Sequence, residues 1–400
     1  MCLIKDCNIF IFFQLKHKVY ECFVIFTAKY TKIMSAIYIW QQTEWPNFIW
    51  DDTKLSYKLG KVRGLQGKLV GKMSALGFDL KNSAMLDTLT ADITKSSEIE
   101  GEILNSDQVR SSVARHLGIE TEGLPEADRY VDGVVQLMMD ATQNYMNPLI
   151  DERLFNWHAA LFPTGRSGIY KITVADWRQG VEPMQVISGP MGKEKVHYQA
   201  PDSDNIPFQM KLFLEWANDN QKIDPVLKAA IAHLWFVTIH PFDDGNGRIA
   251  RTIMDLFLAR ADEMPHRFYS MSTEIRKQRK GYYEILEKTQ KGGLDITGWL
   301  EWFLDCLEAA LINTEKSISS VLQKAAFWDK YRLVPMNERQ IKMVNLLWDG
   351  FDGKLTSSKW GKITKCSADT ALRDIQDLIT KGVLRKTDEG GRSTNYELVI

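Results

Sequence analysis

Cysteines, long apolar runs and an excess of one charge sign are all scarce in this chain of 400 residues. The cysteines are Cys2, Cys7, Cys22, Cys306 and Cys366, and no two close pairs among them suggest a disulfide framework or a zinc site. No apolar run approaches the roughly 20 residues that span a bilayer. Lys plus Arg total 50 against 51 for Asp plus Glu, so the overall charge does not favour nucleic acid or a membrane surface. These absences predict a cytoplasmic protein that does not bind a membrane.

Length and composition indicate two or three globular domains, because 44% hydrophobic residues is ample for sizeable cores. Residues 1–33 differ from the rest, since they hold three of the five cysteines and the apolar burst Ile9–Phe13. This burst is short for a secretory signal, and no small-residue cleavage site follows it. We interpret 1–33 as an atypical leader, either disordered or preceding a native start at Met34.

The densest polar stretch is 240–251, which reads His-Pro-Phe-Asp-Asp-Gly-Asn-Gly-Arg-Ile-Ala-Arg. Before it, apolar residues at helical spacing over Pro225–Ile239 predict a buried helix, which the proline of the stretch ends. Gly245 and Gly247 permit a tight turn, and Arg248–Ala261 is predicted to be helical again. The stretch is therefore a loop that leads into a helix N-terminus.

The residue types of this loop suit phosphate chemistry. The N-terminus of a helix binds anions through free N–H groups and the helix dipole. Arg248 and Arg251 share one face of the first turn and are able to grip a polyphosphate together. Asp244 is a candidate magnesium ligand, and His240 is a candidate general base. Each feature is commonplace alone, so only their joint occurrence favours a phosphate site.

The stretch resembles the signature of the Fic (filamentation induced by cAMP) family, His-Pro-Phe-x-(Asp/Glu)-Gly-Asn-Gly-Arg-x-x-Arg, and fills every specified position. This resemblance implies transfer of AMP from ATP to a Ser, Thr or Tyr hydroxyl of a protein, including the enzyme itself, with release of pyrophosphate. The related Doc kinases carry lysine at the position of Gly247. The glycine therefore favours nucleotidyl transfer over phosphoryl transfer.

The resemblance also implies a role for each residue of the loop. His240 would be the base and Asp244 the ligand of Mg²⁺. The backbone of Gly245–Gly247, together with Asn246, would hold the α-phosphate. Arg248 and Arg251 would hold the β- and γ-phosphates.

A second stretch, Ser-Ser-Glu-Ile-Glu-Gly at 96–101, would alone be an acidic helix end closed by glycine. Beside a Fic-like loop it resembles the inhibitory motif of the family, (Ser/Thr)-x-x-x-Glu-(Gly/Asn), at Ser96, Glu100 and Gly101. The resemblance implies that Glu100 pairs with Arg251 and removes the guanidinium that would orient the γ-phosphate. We therefore expect autoinhibition.

Met184–Ser188 and Lys195–Tyr198 are predicted to be two short strands of a hairpin. In Fic proteins a hairpin at this place is a flap that holds the target segment by main-chain pairing. The resemblance implies that role for four consecutive residues, namely Val186, Ile187, Ser188 and Gly189.

Tyr282, Tyr283 and Gln290 lie on a predicted helix after the loop. Tyrosines commonly fill half-buried helix faces, so packing alone would explain them. The resemblance implies instead that these three residues line an adenosine pocket.

The predicted architecture is mainly α-helical. Residues 34–120 are predicted to be an N-terminal helical domain that carries the inhibitory motif, with helices over Lys54–Leu80 and Ala84–Thr94. Residues 121–315 would form the Fic-type helical core with its β-hairpin flap, and 332–400 a winged helix-turn-helix.

A winged helix commonly binds DNA, here with Ser367–Thr380 as the recognition helix and Arg392 on the wing. From residue 337 onward there are eleven basic and nine acidic residues, a small surplus. Asp369, Asp374 and Asp377 would meet DNA phosphates unfavourably unless they are turned away. A protein-binding or dimerising role is therefore as well supported as DNA binding.

Three functions stay open. The leading one is an autoinhibited protein adenylyltransferase that depends on ATP and Mg²⁺. The second is a DNA-binding regulator in which a Fic fold senses a nucleotide. In the third, the same site removes AMP from a modified protein, with Glu100 positioning water. The target, the activating signal and the oligomeric state, a homodimer included, are not predicted.

Overall fold

Helices dominate the chain, as the sequence predicts. The computed structural model describes residues 38–74, 77–119, 125–189, 193, 195–219, 222–265, 267–348, 351, 353–387 and 394–399. The leader 1–33 and Arg392 lie outside these ranges. The chain divides into two compact units between Leu311 and Ile312. In the described ranges, no helix combines the length and apolar character that crossing a bilayer requires.

The first unit contains helices and two small antiparallel hairpins. Its helices are α1 (Asp52–Ser74), α2 (Phe78–Ile99), α3 (Ser106–Leu117), α4 (Arg129–Gln143), α5 (Asp151–Leu161), α6 (Ile206–Asn218), α7 (Pro225–Ile239), α8 (Asn246–Asp262), α9 (Met271–Lys277) and α10 (Arg279–Gln290), and α11 (Thr297–Lys330) crosses the division. Its strands are β1 (Arg166–Ser167), β2 (Tyr170–Lys171), β3 (Gln185–Ser188) and β4 (Lys195–Gln199).

The centre of this unit is the pair α7 and α8, which pack closely together. Helix α7 is apolar on nearly all sides, as expected of a core helix, and only its first turn carries a charge, Lys228. Asp224 caps its N-terminus by accepting a hydrogen bond from the N–H of Val226, and Pro225 occupies the first turn. The predicted limits of α7 are confirmed, and α8 begins at Asn246, two residues before the predicted start. The loop 240–245 is thus held between two buried helices.

Helix α2 ends beside α8. Gly101 adopts φ of 89°, and the N–H groups of Gly101 and Glu102 donate to the carbonyls of Glu98 and Ser97. The predicted single helix Lys54–Leu80 is wrong, because α1 ends at Ser74 and α2 begins anew after Gly77, whose extended backbone is the N-cap. Hydrophobic spacing continues across this break, so periodicity alone did not locate it.

The flap hairpin consists of β3 and β4, which pair antiparallel with an irregularity between Val186 and Ile187. Both strands occur where they are predicted, while the tip residues 190–192 and 194 lie outside the described ranges. Tyr198 anchors the base of the hairpin, since its hydroxyl donates to the carbonyl of Thr238 on α7 at 2.5 Å. Thus the base is tied to the core, and the outer part is exposed.

The second unit contains α12 (Glu338–Trp348), α13 (Ser357–Thr364), α14 (Ala368–Thr380) and the antiparallel strands β5 (Leu384–Lys386) and β6 (Tyr396–Leu398). Its core includes Trp360, Ile375 and Leu378, all fully buried. Leu355 adds one further bridge to β6. The assignment of these elements as a winged helix stays a prediction.

Candidate active site

His240 ends α7 in the left-handed backbone conformation, with φ of 53°. Its Nδ1 lies 3.1 Å from the carbonyl oxygen of Val237. Because a carbonyl only accepts, Nδ1 carries the proton in the neutral ring, which leaves Nε2 able to accept another. Burial lowers the pKa of His240, so the ring is neutral at pH 7. Its geometry and charge therefore suit a general base.

The loop after His240 is braced by buried side chains. Asn246 accepts a hydrogen bond from the N–H of Phe242 at 2.9 Å and donates to the carbonyl of the same residue at 2.8 Å. The Phe242 ring is fully buried and stacks on His158, with centroids 4.2 Å apart. Arg178 donates through Nε to the carbonyl of His240 and through its backbone N–H to that of Pro241, both at 2.8 Å. The side chain of Asn246, predicted to hold phosphate, is thus engaged with its own loop.

Two glycines of the loop allow other side chains to approach its backbone closely, because glycine has no Cβ. A Cβ on Gly245, at φ of 80°, would lie 2.9 Å from the ring of Phe162. A Cβ on Gly247 would lie 2.2 Å from Oε1 of Glu100. A side chain at 247 would therefore force that carboxylate to shift from the part of the loop where the predicted phosphate would bind.

Asp244 is the candidate magnesium ligand. One of its carboxylate oxygens accepts the N–H of Gly245 at 2.6 Å, and the other accepts the hydroxyl of Ser167. Its side chain remains 44% exposed, and carboxylate oxygens have lone pairs beyond these two bonds. Among the described residues, no three His, Cys, Asp or Glu side chains form a ready metal cage. The donor set therefore fits Mg²⁺ only as it binds with nucleotides, through one carboxylate, phosphate oxygens and water.

Arg251 has no exposed surface and is held from α2. Its Nη1 lies 2.7 Å from Oε1 of Glu100, and its Nε and Nη2 donate at 2.9 Å to the hydroxyl and carbonyl oxygens of Ser96. Burial alone would raise the pKa of Glu100, but the charge and hydrogen bond of Arg251, together with the charge of Arg248 and the hydrogen bond from Tyr283, outweigh burial and lower the pKa. The contact expected between Glu100 and Arg251 is therefore present and charged.

Residues 148–258, which include β1 to β4 and the loop, match the model of the Fic/DOC family. The chain carries a Fic/DOC domain. Residues 38–119, which include the stretch 96–101, match a separate model described as a domain of unknown function, DUF4172.

Relatives of this Fic domain include the "Protein adenylyltransferase Fic" of Drosophila mojavensis, 27% identical over 224 residues, and that of Aedes aegypti, 28% identical over 225 residues. Each match covers 55% of this chain and 40% of the relative, so the chain spans less than half the length of either. A solved Fic family protein from Desulfovibrio desulfuricans is 20% identical with a TM-score of 0.49, over 87% of this chain and 95% of that one.

Beside the Fic loop lies a cavity of about 590 Å³. The predicted site residues that line it are Glu100, Val186, Ile187, Ser188, His240, Asp244, Gly245, Asn246, Gly247, Tyr282, Tyr283 and Gln290. Ser96, Gly101, Gly189, Arg248 and Arg251 are not part of this lining. The flap, loop and predicted adenosine residues therefore share one cavity, while both arginines are buried and do not line it.

The three predicted adenosine residues make hydrogen bonds besides packing. Tyr282 and His233 share one between the hydroxyl and Nε2, 3.1 Å apart. Tyr283 donates to Oε2 of Glu100 at 3.2 Å, and Gln290 donates to the hydroxyl of Thr238 at 3.3 Å. This wall of the cavity is thus linked both to α7 and to Glu100.

Arg248 has partners that sequence reasoning did not identify. Its Nη1 donates to Oε2 of Glu102 and to the hydroxyl of Tyr130, each at 2.7 Å. Tyr130 also donates to Glu102. The guanidinium lies over the ring of Phe162, 5.1 Å from its centroid. Neither Glu102 nor Tyr130 belongs to the motif that resembles the family, so no local signal identified them.

The flap has a further tether that the sequence analysis missed. His197 on β4 contacts Ser188 on β3 and Glu287 on α10, with 2.6 Å between polar atoms in each case. Hydrogen bonds from Lys291 and His197 lower the pKa of Glu287 to about 2. The hairpin register offered a partial signal, because Ser188 pairs with Lys195 and is therefore a diagonal neighbour of His197.

Proposed function

We propose that this chain is an autoinhibited protein adenylyltransferase that transfers AMP from ATP to a Ser, Thr or Tyr hydroxyl of a protein, including itself. The observation that carries this proposal is His240, whose Nε2 is able to accept a proton beside the glycine loop and within the flap-lined cavity. The Fic/DOC domain and the names of its relatives support the same activity.

In the proposed reaction the acceptor oxygen attacks the α-phosphorus of ATP while His240 Nε2 takes the hydroxyl proton. An oxygen–phosphorus bond forms to the acceptor, the bond from the α-phosphorus to the bridging oxygen breaks, and pyrophosphate leaves. Main-chain pairing with the exposed part of β3 would hold the target segment in extended form. Such pairing uses main-chain hydrogen bonds and depends little on the side chains of the target, so it is compatible with more than one acceptor.

Asp244 would hold Mg²⁺, which when bound offsets negative charge on the phosphates. The N–H groups of Gly245–Gly247 at the start of α8 would bind the α-phosphate, favoured by the helix dipole. Arg248 and Arg251 would bind the outer phosphates once their present partners leave.

Autoinhibition is proposed from the contact between Glu100 and Arg251. While the carboxylate occupies the guanidinium and contacts Gly247, the γ-phosphate lacks its partner and ATP binds without reacting. The side chain of Glu100 is 31% exposed whereas that of Arg251 is 0% exposed, so release requires movement of the glutamate.

Incubation with α-labelled ATP and cell lysate tests both ideas. Glu100→Gly should raise label on protein, and adding His240→Ala should lower it by about 10²- to 10⁴-fold, the usual effect of losing a catalytic base. Glu98→Gly is the matched control, because Glu98 pairs with Lys95 and Arg276 instead of Arg251. Absence of label with a folded Glu100→Gly protein would reject adenylyl transfer.

Removal of AMP, the third function, is tested with the same proteins. If the wild type releases AMP from protein first labelled by Glu100→Gly, and Glu100→Gly does not, the glutamate serves hydrolysis. Release by neither protein leaves transfer as the activity of the site. A cytoplasmic location stays a prediction, and the oligomeric state stays open.

DNA binding by the second unit is the second candidate, and one observation favours it. Asp374 is buried against Arg339, with 2.7 Å between carboxylate and Nε. Asp377 bonds to Lys381 at 2.5 Å and accepts from Gln340. Two of the three acids predicted to repel DNA are therefore engaged by their own unit. If the second unit binds DNA, the full chain should form a salt-sensitive complex with duplex DNA. Failure to form a complex even at low salt would exclude DNA binding.

A further inference from the structure

Glu100 and Glu102 contact the two arginines of the first turns of α8, one each. Glu100 Oε1 lies 2.7 Å from Arg251 Nη1, and Glu102 Oε2 lies 2.7 Å from Arg248 Nη1. The chain turns between the glutamates at Gly101, with φ of 89°, and both carboxylates reach the same helix. Two carboxylates, separated by one glycine in the chain, thus pair with two guanidinium groups that are three residues apart on α8.

The contacts of Glu102 form a triangle with Arg248 and Tyr130. The hydroxyl of Tyr130 accepts a hydrogen bond from Arg248 Nη1 and donates its own proton to Oε2 of Glu102. A carboxylate oxygen here therefore receives two donors, a guanidinium and a phenol, as a phosphate oxygen would in its place.

We propose that the segment 100–102 is an internal mimic of the outer phosphates of ATP, and that Tyr130 is a phosphate-binding residue of this site. This inference rests on the proposed use of ATP and deepens it. The carboxylate of Glu100 occupies the position of one phosphate group at Arg251, and the carboxylate of Glu102 occupies the position of the adjacent phosphate group at Arg248. When ATP replaces the segment, the Tyr130 hydroxyl turns its hydrogen bond from Glu102 to a phosphate oxygen.

Burial supports this exchange. The side chain of Arg248 is 5% exposed and that of Glu102 is 43% exposed, so the carboxylate is the partner that leaves. Tyr130 stays, because it belongs to α4 and not to the departing segment. Burial raises the pKa of Tyr130, so its hydroxyl keeps the proton that it donates. Arg248 Nε, buried without a partner among the described residues, adds a further unused donor.

Calorimetric titration with ATP and with AMP, both with Mg²⁺, tests the proposal without any transfer reaction. Glu102→Gln should tighten ATP binding roughly tenfold, the usual effect of one charge-assisted hydrogen bond. Adding Tyr130→Phe should weaken ATP binding again by a similar factor. AMP lacks the outer phosphates, so its affinity should change in neither variant.

Asp132→Asn is the matched control. Asp132 has a side chain 42% exposed and pairs with Arg115, away from Arg248, so its removal should leave ATP affinity unchanged. Unchanged or weaker ATP binding by a folded Glu102→Gln protein would overturn the mimic, and unchanged binding after Tyr130→Phe would overturn the tyrosine contact. If the ATP effects appear but Glu100→Gly labels no protein, the phosphate site stands and the proposed transfer fails.

Discussion

The loop 240–245 and the flap hairpin face the same cavity, but they are held in different ways. The loop is fixed by the buried ring of Phe242, by both polar atoms of Asn246 and by Arg178, which is 4% exposed. The flap is held at its base by Tyr198, and farther out by half-exposed polar contacts from His197. The groups proposed for chemistry are therefore rigid, while the groups proposed to receive the target are able to adjust.

Replacing Phe242 by alanine is expected to have the largest effect on this difference. The ring is fully buried and packs against His158 and Trp177, so its loss should destabilise the protein by about 3–5 kcal/mol. Denaturant unfolding measures the loss. Phe208→Ala is the control, because that ring on α6 is 60% exposed. Equal losses in the two variants would contradict a loop fixed by its buried ring.

The pH dependence of transfer tests the loop through His240. Burial depresses its pKa below the usual value of about 6.5, since the charged ring is poorly solvated, and Arg178 acts in the same direction. Glu100 and Asp244 oppose the shift, so Glu100→Gly should lower this pKa further. Protonation then favours the unfolded state, and His240 costs stability as pH falls below about 6.5.

The rate of the Glu100→Gly enzyme should therefore be level from pH 8 to about 6.5 and fall below that, approaching tenfold per unit once His240 is mostly protonated. Labelled transfer at saturating ATP gives the profile, and ATP affinity at each pH separates nucleotide loss from loss of the base. A midpoint above 6.5 would show that the ring is not the neutral, half-buried base inferred from its contacts.

The sequence predicted the parts of the site whose signals are local. Proline and hydrophobic spacing set the limits of α7, and the consecutive residues of the loop carried the resemblance to the Fic family. The contact of Glu100 with Arg251 was expected because its motif is also short and specific.

The residues that sequence reasoning missed contact the site from distant positions in the chain. Arg178 is 62 positions from His240, and Tyr130 is 118 positions from Arg248. Such contacts depend on how helices pack, and no spacing within either segment encodes them. The break between α1 and α2 was missed for a different reason, because a glycine that starts a helix lies within continuous hydrophobic spacing.

The smallest expected effect lies in the flap. Glu287→Gln removes the charged partner of His197 and weakens contacts with Lys195 and Lys291. Partly exposed pairs contribute about 0–1 kcal/mol each, so stability should hardly change. Amide exchange over 185–199 should nevertheless accelerate several-fold, since the outer hairpin loses a tether to α10.

Glu284→Gln is the matched control for this change. Glu284 lies on the same helix with a side chain 64% exposed and an ion pair to Lys280, so it does not tether the flap. When Glu287→Gln is added to Glu100→Gly, the apparent affinity for a protein acceptor in the transfer assay should fall. The affinity for ATP should be retained, because only the flap hairpin loosens. If exchange in 185–199 is equally slow in both glutamine variants, the flap is as firmly held as the loop and the contrast between them fails.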